Sequence, residues 1–256
     1  MTETPAPDAS LPLFYRKPIL LRFQDHGAYG VRPQSDFRFA AEAIAVPLVG
    51  SEFAAAGRHY PIVFATEGSV MPLAVTGIAA GRNLFVETDG RWRSGTYIPG
   101  YVRRYPFIGM TAPDPSAPLM LGIDAESERL TKNAHRDSAD ALFDAAGKAT
   151  DTSRNAMALC EAYALDHERT RLFGEALEAN GLLIEQTAQV RYADESGASV
   201  RGFRVVNEQA YRALSPEVLA DFHGKGWLEM IVLHLASQLS WQGLVEASAP
   251  AQTKAA

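Results

Sequence analysis

Residues 83–107 run NLFVETDGRWRSGTYIPGYVRRYPF, and their reading decides how the first half of the chain is built. Two short runs rich in β-branched and aromatic residues flank Asp89-Gly90. A two-residue hairpin turn needs residues that tolerate positive φ, and Asp-Gly is a favoured pair, so 83–87 and 91–97 are predicted as a hairpin. The following run, 95–102, is predicted as a further strand. Alternate side chains of a strand face opposite sides. Arg103 and Tyr105 then share one side, and Arg104 shares the other with Val102 and Pro106.

The same pattern extends in both directions. Runs at 19–23, 44–49, 61–66, 73–78 and 119–123 are strand-like and are broken by Gly, Pro, Asp and Asn. Tyr60-Pro61 and Tyr105-Pro106 follow aromatics, which favours the cis bond, with trans as the default. Residues 124–148 read as irregular, with a short helical piece around 139–146 closed by Gly147. The clearest helix is 153–180, where Ala156, Leu159, Cys160 and Tyr163 recur at helical spacing and Asn180-Gly181 offers a left-handed stop. A second hairpin is predicted from 182–192 and 199–206 around Glu195-Ser196-Gly197. Ser215-Pro216 starts a helix that His223-Gly224 ends, because serine caps a free N–H and proline fits the first turn. A last helix, 225–243, places Leu228, Ile231, Val232, Leu235 and Leu239 on one face, expected to dock on the sheet.

The expected fold is therefore α+β: an antiparallel, β-rich N-terminal half packed with C-terminal helices and a second β-hairpin. No repeat or mid-chain linker divides it. Residues 13–246 are expected to form a single domain, with disordered tails at 1–12 and 247–256. The chain has 256 residues, 47% of them hydrophobic, which suffices for a core without metal or disulfide staples. Its single cysteine, Cys160, allows no intrachain disulfide and fits a reducing compartment. The first ten residues lack the basic and apolar segments of a secretory signal, and Trp227 to Leu239 is too short to span a bilayer, so a cytoplasmic location is expected. A net charge of −6 argues against nucleic acid as a partner.

Motifs for chemistry are missing. The six histidines are scattered, without the tight spacing of zinc ligands, and no metal or other cofactor is expected. Cys160 lies on the apolar stripe of a helix, where a free cysteine acts as a small hydrophobe. Asp166, His167 and Glu168 are adjacent on a helix and point in different directions. No Gly-x-Ser-x-Gly elbow, P-loop or Gly-x-Gly-x-x-Gly fingerprint is present, and Gly224-Lys225-Gly226 reads as an interhelix turn. Between residues 91 and 107, however, Trp92, Tyr97, Tyr101, Tyr105 and Phe107 crowd around Arg91, Arg93, Arg103 and Arg104. Aromatic residues with arginine make binding hot spots, although an ordinary sheet with core aromatics and edge arginines gives the same composition.

A family resemblance runs through these pieces. Val46-Pro47-Leu48, Ser51-Glu52-Phe53, Tyr60-Pro61-Ile62-Val63-Phe64, Gly81-Arg82-Asn83-Leu84-Phe85-Val86 and Gly90-Arg91-Trp92 occur in order. Tyr97-Ile98-Pro99-Gly100-Tyr101, Arg103-Arg104-Tyr105-Pro106-Phe107, Gly202-Phe203-Arg204-Val205-Val206-Asn207, Gly226-Trp227-Leu228 and His234-Leu235-Ala236-Ser237-Gln238-Leu239 follow. Over residues 12 to 245 the chain resembles the bacterial SapC family. It departs near its end, where a Ser-Leu-x-x-Trp segment is Ser237-Gln238-Leu239-Ser240-Trp241.

The family name comes from a locus for transport of a paracrystalline surface-layer protein, so the resemblance implies an envelope or export-accessory role. It supplies no catalytic residues. The shared motifs mark a fold signature and a candidate ligand or partner surface: Tyr60, Asn83, Trp92, Tyr97, Tyr101, Arg103, Arg104 and Tyr105.

Three readings follow. The first is a non-enzymatic accessory or binding protein that takes an unidentified protein, peptide or small molecule, with Trp92, Tyr101 and Arg103 replaceable without loss of the fold. The second is an enzyme of unknown reaction whose site gathers Glu52, His59, Asn83, Arg103 and Tyr105. The third is a structural module that forms a homo-oligomer.

Overall fold

The computed structural model of the chain describes residues 11–112, 114, 117–191 and 197–249. In chain order the elements begin with β1 (Pro18–Leu20), α1 (Phe23–His26), β2 (Gly30–Val31) and β3 (Ala45–Pro47). A 3-10 turn at Gly50–Glu52 leads into α2 (Phe53–Ala56), then β4 (Ile62–Ala65) and β5 (Pro72–Val75). Next come α3 (Gly100–Arg104), β6 (Phe107–Met110), β7 (Met120–Asp124), β8 (Leu130–Thr131) and β9 (Asp140–Ala141). The chain continues with α4 (Asp151–Ala179), β10 (Leu183–Arg191), β11 (Gly197–Val206), α5 (Glu208–Arg212), α6 (Pro216–Gly224), α7 (Trp227–Ser237) and α8 (Ser240–Ser248). The strands pair antiparallel, in the orders β1-β7-β6, β10-β11-β4-β5-β3 and β8-β2-β9. The fold class is α+β.

The chain divides into two compact units, one of residues 1–34 with 104–161 and one of residues 35–103 with 162–256. In the first, Val31, Phe107, Ile123, Leu142, Ala156 and Cys160 form one apolar cluster. Burial there pushes the Cys160 thiol up to about 11, so it stays protonated at neutral pH. The buried Asp124 ties the chain ends of β1 and β7 together. It accepts hydrogen bonds from the backbone N–H groups of Arg16 (3.2 Å) and Lys17 (2.7 Å) and from the Tyr105 hydroxyl (3.1 Å).

In the second unit, Phe173 of α4 meets Phe53 and Phe64 with ring centroids 6.3 and 6.2 Å apart. Ile62, Leu177, Leu182 and Ile231 close the same interior. Local rules act here as expected. Ser215 caps α6 by accepting from the Val218 N–H, Pro216 occupies its first turn, and Gly181 at φ 63° follows α4.

Several local expectations are corrected. Residues 95–102 form no strand. Pro99 has no N–H to contribute to a ladder and instead opens α3, with Val102 and Arg103 N–H groups donating to its carbonyl. Arg103, Arg104 and Tyr105 therefore do not alternate across a sheet. The reversal at Asp89-Gly90 forms, with Gly90 at φ 86°, but only one bridge, Val86 to Trp92, develops beside it. No helix forms at 139–146, where Asp140–Ala141 pairs with β2 and a turn runs to Gly147 at φ 80°. The strand expected at 19–23 ends at Leu20, and Phe23 begins α1. Tyr105-Pro106 is cis. The turn residues Glu195 and Ser196, and most of the two expected tails, lie outside the described residues.

The last helix is broken after Ser237 into α7 and α8, and its inward face is rotated. Ile231, His234 and Ser237 point inward, while Val232 is 52% and Leu239 83% exposed. The reason is polar. The Ser237 hydroxyl accepts from the Ile62 N–H (3.0 Å), the Gln238 amide donates to the Ile62 carbonyl (2.8 Å), and His234 Nε2 accepts from the Val206 N–H (3.1 Å). Buried backbone groups need partners, and the polar side of α7 supplies them.

Because Nε2 accepts, His234 is the neutral tautomer with its proton on Nδ1, and burial lowers its pKa to about 4. The unfolded chain, with an ordinary histidine near 6.5, takes up the proton first as pH falls. The stability from this group is full above pH 6.5 and drains away towards pH 4. Urea unfolding is expected to show a loss of about 3 kcal/mol across that window, and His234→Gln is expected to flatten that part of the profile. An unchanged profile in His234→Gln would reject a buried neutral imidazole.

Candidate functional site

The site is built around Glu52, which is 5% exposed. It sits at the end of the 3-10 turn that enters α2, and its side chain reaches back so that Oε2 accepts from the Val49 N–H at 3.1 Å. Oε1 turns the other way and accepts from the Tyr97 hydroxyl (2.8 Å) and the Gly100 N–H (2.6 Å). One carboxylate thus holds the 97–103 segment, and its bond to Gly100 satisfies a free N–H at the start of α3.

Arg103 leaves α3 on the outside of this knot. Its Nε donates to the Ile98 carbonyl (3.0 Å), Nη2 donates to the Tyr97 hydroxyl (3.1 Å), and its guanidinium carbon lies 5.6 Å from the Tyr97 ring centroid. Nη2 is 4.0 Å from Glu52 Oε1. The arginine side chain is still 47% exposed, so a guanidinium of fixed orientation faces solvent. Burial and then the Glu52 charge push the Tyr97 phenol up to about 12, so it is a donor at neutral pH.

Tyr60 and Trp92 brace this corner from within. Both are buried. The Trp92 indole N–H donates to the Tyr60 hydroxyl at 3.2 Å, and that hydroxyl donates to the Tyr97 carbonyl. Phe85 packs on both rings, 4.5 Å from Tyr60 and 6.3 Å from Trp92 between centroids. Desolvation raises the Tyr60 pKa further than that of Tyr97.

Of the eight residues singled out in the sequence, Tyr60, Trp92, Tyr97 and Arg103 come together. The other four have separate places. Asn83 holds backbone, donating to the Ala40 carbonyl (3.0 Å) and accepting from the Phe85 N–H (2.9 Å). Tyr101 is buried edge-on to Tyr163, 6.0 Å between centroids. Arg104 lies over the Tyr15 ring at 5.8 Å and Tyr105 bonds Asp124, both in the first unit. Trp92 and Tyr101 therefore do not suit the expectation that they are replaceable with the fold intact, because each fills the interior. Arg103 does.

The constellation sought for a catalyst is only partly assembled. Glu52 and Arg103 meet. Asn83 and Tyr105 are committed elsewhere, and the ring of His59 reaches Tyr60 at 6.2 Å but makes no bond to the carboxylate. Both Glu52 oxygens are already engaged by donors of the protein itself. Among the described residues no three His, Cys, Asp or Glu side chains are grouped to hold a metal ion. Glu52 was visible in the sequence only within a motif. Its link to Tyr97, across 45 positions of chain, left no local signal.

The SapC family profile matches residues 21–244 of the chain. No match was found among curated proteins or among solved structures.

Proposed function

The chain belongs to the SapC family, and on that basis we propose that it is a non-enzymatic accessory or binding protein that grips an anionic group of a protein or peptide partner through Arg103. The half-exposed, pre-oriented guanidinium on the Tyr97 ring supports this reading. An arginine held in this way loses little rotamer freedom on binding, and its planar fork matches a carboxylate. The family name connects the partner with surface-layer or outer-envelope traffic. The protein would meet that partner from the cytoplasmic side, in keeping with the single, buried cysteine. Among the described residues no helix is long and apolar enough to cross a membrane.

Arg103→Gln is the test. The side chain is exposed and its ion pair lies at the protein surface, so unfolding stability is expected to shift by less than about 1 kcal/mol. In-cell crosslinking of the tagged full chain, followed by mass spectrometry, is expected to recover an envelope or surface-layer protein. The purified pair is expected to bind at least about tenfold more weakly in Arg103→Gln. A recovered partner that binds the variant as tightly as the parent chain rejects this surface.

A further inference from the structure

A separate, open pocket lies on the long hairpin of the same unit. The ladder between β10 and β11 shifts register between Gln186, opposite Phe203, and Ala188, opposite Val200. Thr187 therefore faces two residues, Arg201 and Gly202, and Gly202 takes φ 75°. Such a bulge re-aims side chains and is common beside binding sites. Here it borders a pocket of about 220 Å³. Phe203, Val205 and the Trp241 indole of α8 give it apolar surface, and Gln186, Thr187 and Gln238 give it amide and hydroxyl groups. The indole is held in place: its N–H donates to Gln238 Oε1 at 3.1 Å, and its ring lies 5.7 Å from that of Phe203 at 32°. Gln238 is fixed in turn by its bond to the Ile62 carbonyl.

We propose that this pocket binds one neutral pyranose ring, presented by a free sugar or by the end of a glycan. No lining group is charged, so the pocket offers an ionic group no counter-charge. The volume falls below the usual range for drug-sized ligands and suits one substituted ring. A pyranose has an apolar C–H face that covers an immobilised indole. Its hydroxyls both donate and accept, as do the exposed Gln186 amide and Thr187 hydroxyl. Two independent features, the fixed aromatic wall and the bulged amide and hydroxyl rim, thus ask for the same ligand.

The test is a titration of the full chain followed through its indole N–H resonances. The probes are methyl glycosides of glucose, galactose, mannose and N-acetylglucosamine, short oligosaccharides of the same sugars, and glucuronate and glucosamine as charged controls. At least one neutral ring is expected to shift the Trp241 signal saturably. Tighter binding of the oligosaccharide would assign a glycan end, and equal binding a free sugar. Gln186→Ala is expected to weaken binding about tenfold by the same signal, and Trp241→Ala, which removes the reporter and is followed by calorimetry, is expected to abolish it. Gln186 is exposed, so its variant reports on binding even where Trp241→Ala lowers stability. The inference is overturned if no neutral sugar saturates the signal within its solubility, if the charged sugars bind as well, or if Gln186→Ala binds like the parent chain. Arg103→Gln is expected to bind the sugar normally, which separates this pocket from the partner surface.

Discussion

Gly174→Ala is expected to lower the unfolding free energy by about 3 kcal/mol, against the sign that helix propensity gives. Gly174 lies well inside the 29-residue helix α4, and alanine in an exposed helix interior is normally worth about 1 kcal/mol over glycine. Here a Cβ would stand 2.0 Å from the Val70 carbonyl oxygen and 3.1 Å from the Val70 carbonyl carbon and Cβ. Val70 is itself buried, on the connection between β4 and β5. Neither side yields easily. The helix is pinned by Phe173 between Phe53 and Phe64, and the connection is held by the β4–β5 ladder. Interiors packed to crystal density pass such a displacement to their neighbours. Gly243→Ala in α8 is the matched control: apart from its chain neighbours and its own helix backbone, no atom lies within 4 Å of its added Cβ, and a gain of up to about 1 kcal/mol is expected. Urea unfolding of both variants at neutral pH measures the contrast. A Gly174→Ala chain as stable as its parent would disprove the close approach of helix and turn.

Glu52→Ala is expected to cost about 4 kcal/mol, because it strands three donors at once. The Val49 and Gly100 N–H groups and the Tyr97 hydroxyl lose their acceptor, and Arg103 loses the charge it lies beside. Glu52→Gln keeps the shape and separates charge from geometry. Its amide oxygen serves the Tyr97 and Gly100 donors, but its NH₂ then meets the Val49 N–H, donor against donor. About 2 kcal/mol is expected for that variant. The Tyr97→Phe substitution removes one donor from the same knot, so the double variant with Glu52→Ala, which removes the acceptor, is expected to lose less than the sum of the two. Full additivity in that cycle would mean that the two side chains do not share the hydrogen bond.

The elements legible in the sequence are those set by neighbours in the chain. Helix α4 follows from apolar residues recurring along one stripe, and α6 from Ser215 and Pro216 at its start. Strands β4 and β5 and the β10–β11 hairpin follow from branched and aromatic runs between turn residues. The α+β class follows from their order. The strand read at 95–102 failed because Pro99 cannot join a ladder and because Glu52, 48 positions from Gly100, takes the Gly100 N–H and holds the start of α3. The last helix was recognised, but its inward face was misjudged on hydrophobicity alone. Unpaired backbone groups of β4 and β11 draw His234, Ser237 and Gln238 inward and leave Val232 and Leu239 outside.

The candidate surface was half legible for the same reason. Composition located aromatic residues and arginines between 91 and 107, but could not separate those that fill the interior, Trp92 and Tyr101, from the one that reaches solvent, Arg103. By itself, the order of residues determined the secondary structure wherever hydrogen bonds close within a turn of helix or across a short hairpin, and with it the fold class and the family. Only the tertiary structure decided which side chains meet at Glu52, which face of α7 is buried and which glycine tolerates no methyl group. Each of those outcomes depends on atoms far apart along the chain competing for one buried hydrogen bond or one filled volume.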